Sequence, residues 1–420
     1  MDTIKSFKGY GKVDPQEELA FKRKTRKRLI ILSISLIVLV VLIIGAVVGT
    51  LVHNKNKNGS NEVPSTPTSS AAAIKAVCSV TQHQESCFTS LSSMDSSNST
   101  DPEKIFQFSL KVVMDSLENL STFPEEWMNR TNDPRVREAL QVCKVVLDEA
   151  VDYLNDSIST MNVDKGGKLI SVPKIADLKT WLSTIITDQE TCLDALDEVN
   201  ATIVEDVKLL MKNSTEYASN SLAIVSKLLG ILGDFGIPIH RKLLGTMDSG
   251  FPRWVSAGDR RLLQAAMPKP DVTVAKDGGD VKTIKEAVAK IPKKSKKRFV
   301  IYIKAGEYVE NVILDKSLWN VMIYGDGKTA TIISGSLNFI DGTPTFSTAT
   351  FAAAGKGFIA RDIGFKNTAG ATKHQAVALR SGSDMSVFYR CSFDGFQDTL
   401  YAHSNRQFYR ECDITGQEGP

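Results

Sequence analysis

Gln375 and Gln397 stand 22 residues apart, and Asp398 follows the second of them. Two side-chain amides brought side by side can donate hydrogen bonds to one developing oxyanion. A carboxylate next to them can carry a proton to and from a leaving group. That is equipment for a reaction that develops an oxyanion and moves a proton, provided the backbone gathers the three residues. Taken alone, Asp398-Thr399 is also an ordinary turn dipeptide with a solvated carboxylate. Other chemistries lack their residues. His53, His83, His240, His374 and His403 are scattered, no Gly-x-Ser-x-Gly elbow or phosphate-binding glycine loop occurs, and no metal-ligand cluster stands out. The expectation is therefore no metal and no cofactor.

The elements that must position the glutamines lie after Asp271. Short β-rich runs recur there: 299–303, 321–324 ahead of Gly325-Asp326-Gly327, 331–333, 358–360, 376–379 and 387–389. One helix is predicted over 283–291. Ser386-Val387-Phe388-Tyr389-Arg390-Cys391 and Arg406-Gln407-Phe408-Tyr409-Arg410-Glu411-Cys412 are visibly similar. One turn per 20–22 residues fits a parallel β-helix, in which equivalent positions stack on adjacent coils. Stacking would put Gln375 beside Gln397. A β-sandwich is the alternative for strands of this length.

From Ala72 to about Leu244 the apolar spacing is three and four residues, as in Ile105, Phe106, Phe108, Leu110, Val113, Met114 and Leu117. This predicts amphipathic helices, about four of them long, in a bundle. Asp101-Pro102-Glu103 is a helix start, with an N-cap followed by proline. Cys78, Cys87, Cys143 and Cys192 imply two disulfides with three possible pairings. Their spacing lacks the Cys-x2-Cys pair of a zinc site. The acidic residues look spread over solvated helix faces.

The net charge of +3 conceals an asymmetry. Residues 72–250 carry ten more acids than bases, whereas residues 251–420 carry seven more bases than acids. Two domains of opposite charge can attract each other. At the N-terminus a basic tail, residues 1–28, precedes the uncharged run Leu29–Val52, long enough to span a bilayer. The tail is expected on the cytosolic side. Asn58, Asn98, Asn119, Asn129, Asn155, Asn200 and Asn213 each open an Asn-x-Ser/Thr triplet, consistent with the secretory pathway. Residues 53–71 read as a stalk and 231–270 as a linker. The linker holds two basic tetrads, Arg241-Lys242-Leu243-Leu244 and Arg260-Arg261-Leu262-Leu263. Each is either a protease site or merely a charged stretch. No nucleic-acid partner is expected.

Two resemblances sharpen this reading. Val77-Cys78 through Glu85-Ser86-Cys87, then Cys143 and Asp188-Gln189-Glu190-Thr191-Cys192-Leu193-Asp194, are similar to the plant invertase/pectin methylesterase inhibitor domain, over residues 72–230. The resemblance implies pairing of the first two and of the last two cysteines, and an intramolecular inhibitory contact. From residue 271 on, Ile303-Lys304-Ala305-Gly306-Glu307-Tyr308, Gln375-Ala376-Val377-Ala378-Leu379-Arg380, Gly395-Phe396-Gln397-Asp398-Thr399-Leu400-Tyr401 and His403-Ser404-Asn405-Arg406-Gln407-Phe408-Tyr409 resemble the plant pectin methylesterases. This implies a multidomain chain: a transmembrane anchor, an all-α four-helix bundle and an incomplete right-handed parallel β-helix over 271–420. The substrate implied is methyl-esterified homogalacturonan in the plant cell wall, reached after membrane anchoring and processing. By resemblance Gln375 and Gln397 form the oxyanion hole and Asp398 is the general acid/base. Thr345 contacts substrate, with Gln375, and Phe396 and Tyr401 line the sugar cleft. The resemblance also implies cleavage by a subtilisin-like protease, with Arg260–Leu263 as the final site.

The family's pattern places its nucleophilic Asp at position 419, where this chain reads Gly419. A glycine cannot attack an ester carbonyl, so the expectation is a family member without turnover. The alternative function is a non-catalytic inhibitor acting through the helical region.

Overall fold

The computed structural model describes residues 69–94, 99–161, 171–234, 250–264 and 267–416. The predicted membrane span 29–52, the basic tail, most of the stalk, Asn58, Asn98, Arg241–Leu244 and Gly419 lie outside the described residues. Among the described residues no helix is long and apolar enough to cross a membrane.

The first half is helical. A hairpin of α1 (Ser70–Cys78) and α2 (Gln84–Ser92) leads into α3 (Pro102–Leu120), α4 (Phe123–Met128), α5 (Pro134–Met161), α6 (Val172–Glu198) and α7 (Val204–Asp234). The start of α3 is the one its sequence predicts. Asp101 accepts from the Glu103 amide at 3.0 Å, and Pro102 sits where a helix has no use for its N–H. The apolar stripe of α3, including Phe106, Leu110 and Leu117, is fully buried against α5 and α7. Cys78 pairs with Cys87 across the hairpin, and Cys143 of α5 pairs with Cys192 of α6, as the family resemblance implied.

The second half is a stack of parallel coils. After β1 (Val272–Val274), each coil runs through three sheets in turn. The first coil is β2 (Phe299–Ile303), β3 (Gly306–Val309) and β4 (Val312–Leu314). The second is β5 (Val321–Tyr324), β6 (Thr331–Gly335) and β7 (Phe351–Ala353). The third is β8 (Ile359–Arg361), β9 (Gly364–Asn367) and β10 (Leu379–Ser381). The fourth is β11 (Ser386–Tyr389), β12 (Ser392–Gly395) and β13 (Leu400–Tyr401), and β14 (Gln407–Arg410) and β15 (Asp413–Gly416) follow. All strand pairs are parallel and link neighbouring coils. The β-sandwich alternative is thereby excluded. The two similar segments stack in register, Val387 on Phe408 and Phe388 on Tyr409.

Helix α8 (Ala257–Gln264) and Phe251 pack on the outer face of the six-stranded sheet, against Val300, Met322, Ile359 and Val387. Part of the stretch read as linker is thus folded. The tetrad Arg260–Leu263 is helical there, with Leu263 fully buried and the Leu262 carbonyl accepting from Arg361 at 2.6 Å.

Inside the coils, aromatic rings stack along the axis. Phe365 lies over Phe393 with centroids 5.7 Å apart, and Phe388 over Tyr409 at 4.8 Å. Three corners between the first and second sheets carry left-handed residues without glycine: Asp362 (φ 53°), Arg390 (φ 53°) and Glu411 (φ 56°). Left-handed backbone is costly for such residues, and the corners are tied together. Arg390 donates twice to the Asp362 carboxylate, at 2.7 and 2.6 Å.

Phe365 touches both Phe351 and Phe393 in the coil interior. Phe365→Ala is expected to lower unfolding stability by about 3–5 kcal/mol, measured as a shift of the denaturant midpoint. A cost below about 1 kcal/mol would mean that the interior is not close-packed there.

Candidate active-site cleft and its cover

Gln375 and Gln397 form an isolated parallel bridge at the entrance to the four-stranded sheet of β4, β7, β10 and β13. The Ala376 amide donates to the Gln397 carbonyl at 3.1 Å, and the Phe339 amide to the Gln375 carbonyl at 2.9 Å. The residues that flank the bridge, His374 (φ 55°) and Asp398 (φ 59°), are both left-handed. Each stands next to a glutamine of the bridge. Strain of this kind persists where the surroundings enforce it, and it gathers at functional sites. The Thr399 hydroxyl closes the second turn on the Phe396 carbonyl at 2.9 Å. The Gln375 Oε1 atom is buried without a hydrogen-bond partner. Gln397 and Asp398 are exposed, and partial desolvation still raises the Asp398 pKa above the ordinary carboxylate value. Phe396 is half-buried on the same turn.

The other sequence-predicted cleft residues meet the helices. Thr345 is buried, and its amide donates to Glu198, the last residue of α6, at 3.0 Å. Phe346 joins the apolar cluster of the helical region, and Tyr401 packs on that cluster. Tyr401 also hydrogen-bonds Thr191, and burial raises its pKa. Five of the predicted glycosylation asparagines, Asn119, Asn129, Asn155, Asn200 and Asn213, are exposed.

The attraction expected between the oppositely charged halves takes the form of ion pairs along α5 and α6. Lys316 pairs with Asp152 at 2.6 Å, Lys356 pairs with Asp156, and Arg406 pairs with Asp177 at 2.6 Å. Arg406 also holds the buried Asp384, which accepts from the Trp181 indole at 3.2 Å. Asn405 bonds Tyr153 and Thr184, both at 2.9 Å. Lys356 lies 5.3–5.8 Å from the rings of Tyr153, Trp181 and Trp319. Asp152, Asp156 and Asp177 thus pair with the β-helix, while other acids of the same helices, such as Glu138 and Glu190, stay exposed as the sequence suggested.

At the centre lies a dry cluster: Glu149, Asp188, Arg380 and His403. Arg380 stacks 3.4 Å from the centroid of Phe346. Burial lowers its pKa to about 10, against the pull of Glu149 and Asp188. Two carboxyl groups share this one guanidinium. Burial raises the pKa of both, and neither Asp188 oxygen has a hydrogen-bond partner. A buried unpaired charge is far costlier than a neutral acid, so burial favours the protonated form of both groups. Burial and Arg380 push His403 down to about 3, and its Nε2 meets the Thr191 hydroxyl at 2.9 Å. Arg380, Asp188 and His403 all lie inside motifs visible in the sequence. Nothing in their spacing marks them as facing one another across two halves of the chain.

Comparison with known proteins agrees with both halves. A family model described as pectinesterase matches residues 271–418, and one described as plant invertase/pectin methylesterase inhibitor matches residues 72–224. Pectinesterase 1 of Arabidopsis thaliana is 58% identical over 430 residues, covering 99% of this chain and 73% of its own length. Pectinesterase 3 of Phaseolus vulgaris is 56% identical, covering 99% and 72%. Among solved structures, pectin methylesterase from carrot is 58% identical over 36% of this chain and 48% of its own, with a TM-score of 0.36. Pectin methylesterase from Aspergillus niger is 30% identical over 36% and 52%, with a TM-score of 0.33. The chain spans about half the length of these solved structures.

The buried cluster makes docking of the helices pH-dependent. Glu149 and Asp188 have raised values when docked, so their contribution is fully present below their ordinary values of 4.5 and 3.8 and is lost as pH rises through the raised ones. His403 acts in the opposite sense, because the undocked ring takes up a proton below its ordinary 6.5 that the docked ring refuses. Docking is therefore expected to weaken as pH rises through the raised carboxyl values, and the ring opposes this only where pH falls below 6.5. Asp188→Asn should flatten that slope, followed by hydrogen exchange of α6 against pH. An unchanged slope would contradict a raised Asp188 as a source of the pH dependence.

Proposed function

Because the chain belongs to the pectinesterase family, we propose that its β-helix binds methyl-esterified homogalacturonan over the four-stranded sheet, and that Gln375, Gln397 and Asp398 serve methyl-ester hydrolysis there. The observation that carries the proposal is the stacked Gln375–Gln397 bridge with Asp398 on the next residue. In this mechanism a carboxylate nucleophile attacks the ester carbonyl, and the two amides receive the oxyanion. Asp398 gives its proton to the leaving methoxide, releasing methanol, and then deprotonates the water that frees the acid product. The raised pKa of Asp398 suits the proton-donating step. Thr345, Phe396 and Tyr401 position the sugars. At the position that the family pattern assigns to the nucleophile the sequence has Gly419, so residues 1–420 alone are expected to bind without turnover.

The helical region is then an internal inhibitor, since it covers Thr345, Phe346 and Tyr401. Full exposure of Thr345, Phe346 and Tyr401 requires its release. Cleavage by a subtilisin-like protease at Arg260–Leu263 would require α8 to unwind first, because a protease needs an extended segment and Leu263 is buried. The compartment we infer is the secretory pathway and then the cell wall, with the N-terminal apolar run as the anchor. A second reading, inhibition of a separate esterase by the helical region, is favoured by the same set of cleft contacts.

The test compares the full chain with a variant carrying Asp152→Asn, Asp156→Asn and Asp177→Asn, which removes three ion pairs of the cover. Binding of highly methyl-esterified homogalacturonan should rise at least about tenfold in the variant and fall again when Tyr401→Ala is added, with no methanol released in either case. Equal binding by parent and variant would overturn the cover, and methanol release abolished by Asp398→Asn would overturn the assignment at position 419. Inhibition of a separate pectinesterase by the full chain would support the second reading.

A further inference from the structure

The two stacked segments end in Cys391 and Cys412, which neither the cleft nor its cover uses. Each stands one residue ahead of a strand of the five-stranded sheet, and those strands are in register, Ser392 on Asp413 and Phe393 on Ile414. The Asp413 amide donates to the Cys391 carbonyl at 3.0 Å. The two cysteines are thus neighbours on consecutive coils. Adjacent strands lie about 4.8 Å apart, inside the roughly 4.4–6.8 Å range of Cα separations that a disulfide spans. The thiols already meet, with a hydrogen bond between them. Cys391 is buried in the coil interior, while Cys412 is partly open. The other four cysteines are paired elsewhere, so no third thiol competes.

We propose that Cys391 and Cys412 are an oxidisable pair that closes a third disulfide, stapling the coil that leads into Gln397 and Asp398 to the coil after it. The oxidant class is a small-molecule or protein disulfide, such as oxidised glutathione. The Cys412 thiolate attacks one sulfur of that disulfide, forming a mixed disulfide and expelling one thiolate. Cys391 then loses its proton to that thiolate or to water, attacks the Cys412 sulfur and expels the second thiolate. Two protein thiols are oxidised by two electrons, and one external disulfide is reduced to two thiols. The order follows from the setting. The hydrogen bond from Cys391 lowers the Cys412 thiol to about 7, near the optimum for an attacking thiol at neutral pH, while burial holds Cys391 well above the ordinary value. Cys412 is also the sulfur that solvent reaches.

The experiment is peptide mapping of the full chain under non-reducing conditions, with alkylation before and after exposure to oxidised glutathione. Before oxidation two alkylated cysteines are expected, and afterwards none, with the Cys391 and Cys412 peptides recovered as one linked species that a reductant separates. The rate should rise with pH through about 7 and then level off. In Cys391→Ser the reaction should stop at a stable glutathione adduct on Cys412. In Cys412→Ser the remaining buried Cys391 should react at least about tenfold more slowly than Cys412 does. Separate alkylation of both cysteines after oxidation, or a lasting glutathione adduct on the parent chain, would overturn the proposal.

Discussion

Everything in the β-half depends on one constraint: each coil must repeat the register of the coil before it. Parallel pairing leaves no freedom to slip, because a one-residue shift would turn the interior rings outward. Phe365 over Phe393 and Phe388 over Tyr409 fix the axis from within. The Arg390–Asp362 double bond fixes it from outside, at corners whose left-handed backbone would otherwise relax. The Gln375–Gln397 bridge results from that register. Two amides far apart in the chain become neighbours without any local motif to hold them. The same register brings two cysteines together one sheet away.

The helical half adds a second level of control. Ion pairs at its rim are individually weak in water, and Lys316–Asp152 and Lys356–Asp156 belong to that class. The buried centre differs. Burial pushes Glu149 and Asp188 toward their protonated forms, against the pull of Arg380. His403 is kept neutral by burial first and by the same cation second. The result is an interface sensitive to protons, laid over Thr345, Phe346 and Tyr401. Stability of the contact and access to the cleft are therefore one property, and a change in either moves both.

Much of this was legible in the residues. The 20–22-residue spacing predicts the coils, and the similar segments ending in Cys391 and Cys412 predict which residues stack. Asp101-Pro102 marks its helix start to the residue. The corners at Asp362, Arg390 and Glu411 were not legible, because a left-handed turn without glycine leaves no local signal. Strand 376–379 was placed too early: only Leu379 onward joins a ladder, and Gln375 stands apart as a bridge. Which acids of α5 and α6 face the β-half and which stay in water was not legible. A carboxylate that faces water and one that faces a lysine on a distant coil have the same spacing along a helix. Burial of Asp188 is a tertiary fact, and its position beside Cys192 shows only that it lies near the bundle core.

The most direct measurement is site-resolved hydrogen exchange at the Thr345 amide, whose acceptor is the Glu198 carboxylate of the covering helix. Strong protection in the full chain is expected, falling at least about tenfold in Glu198→Ala while the β12 amides stay protected. Exchange at Thr345 as fast as that of an open loop in the parent chain would contradict a covered cleft.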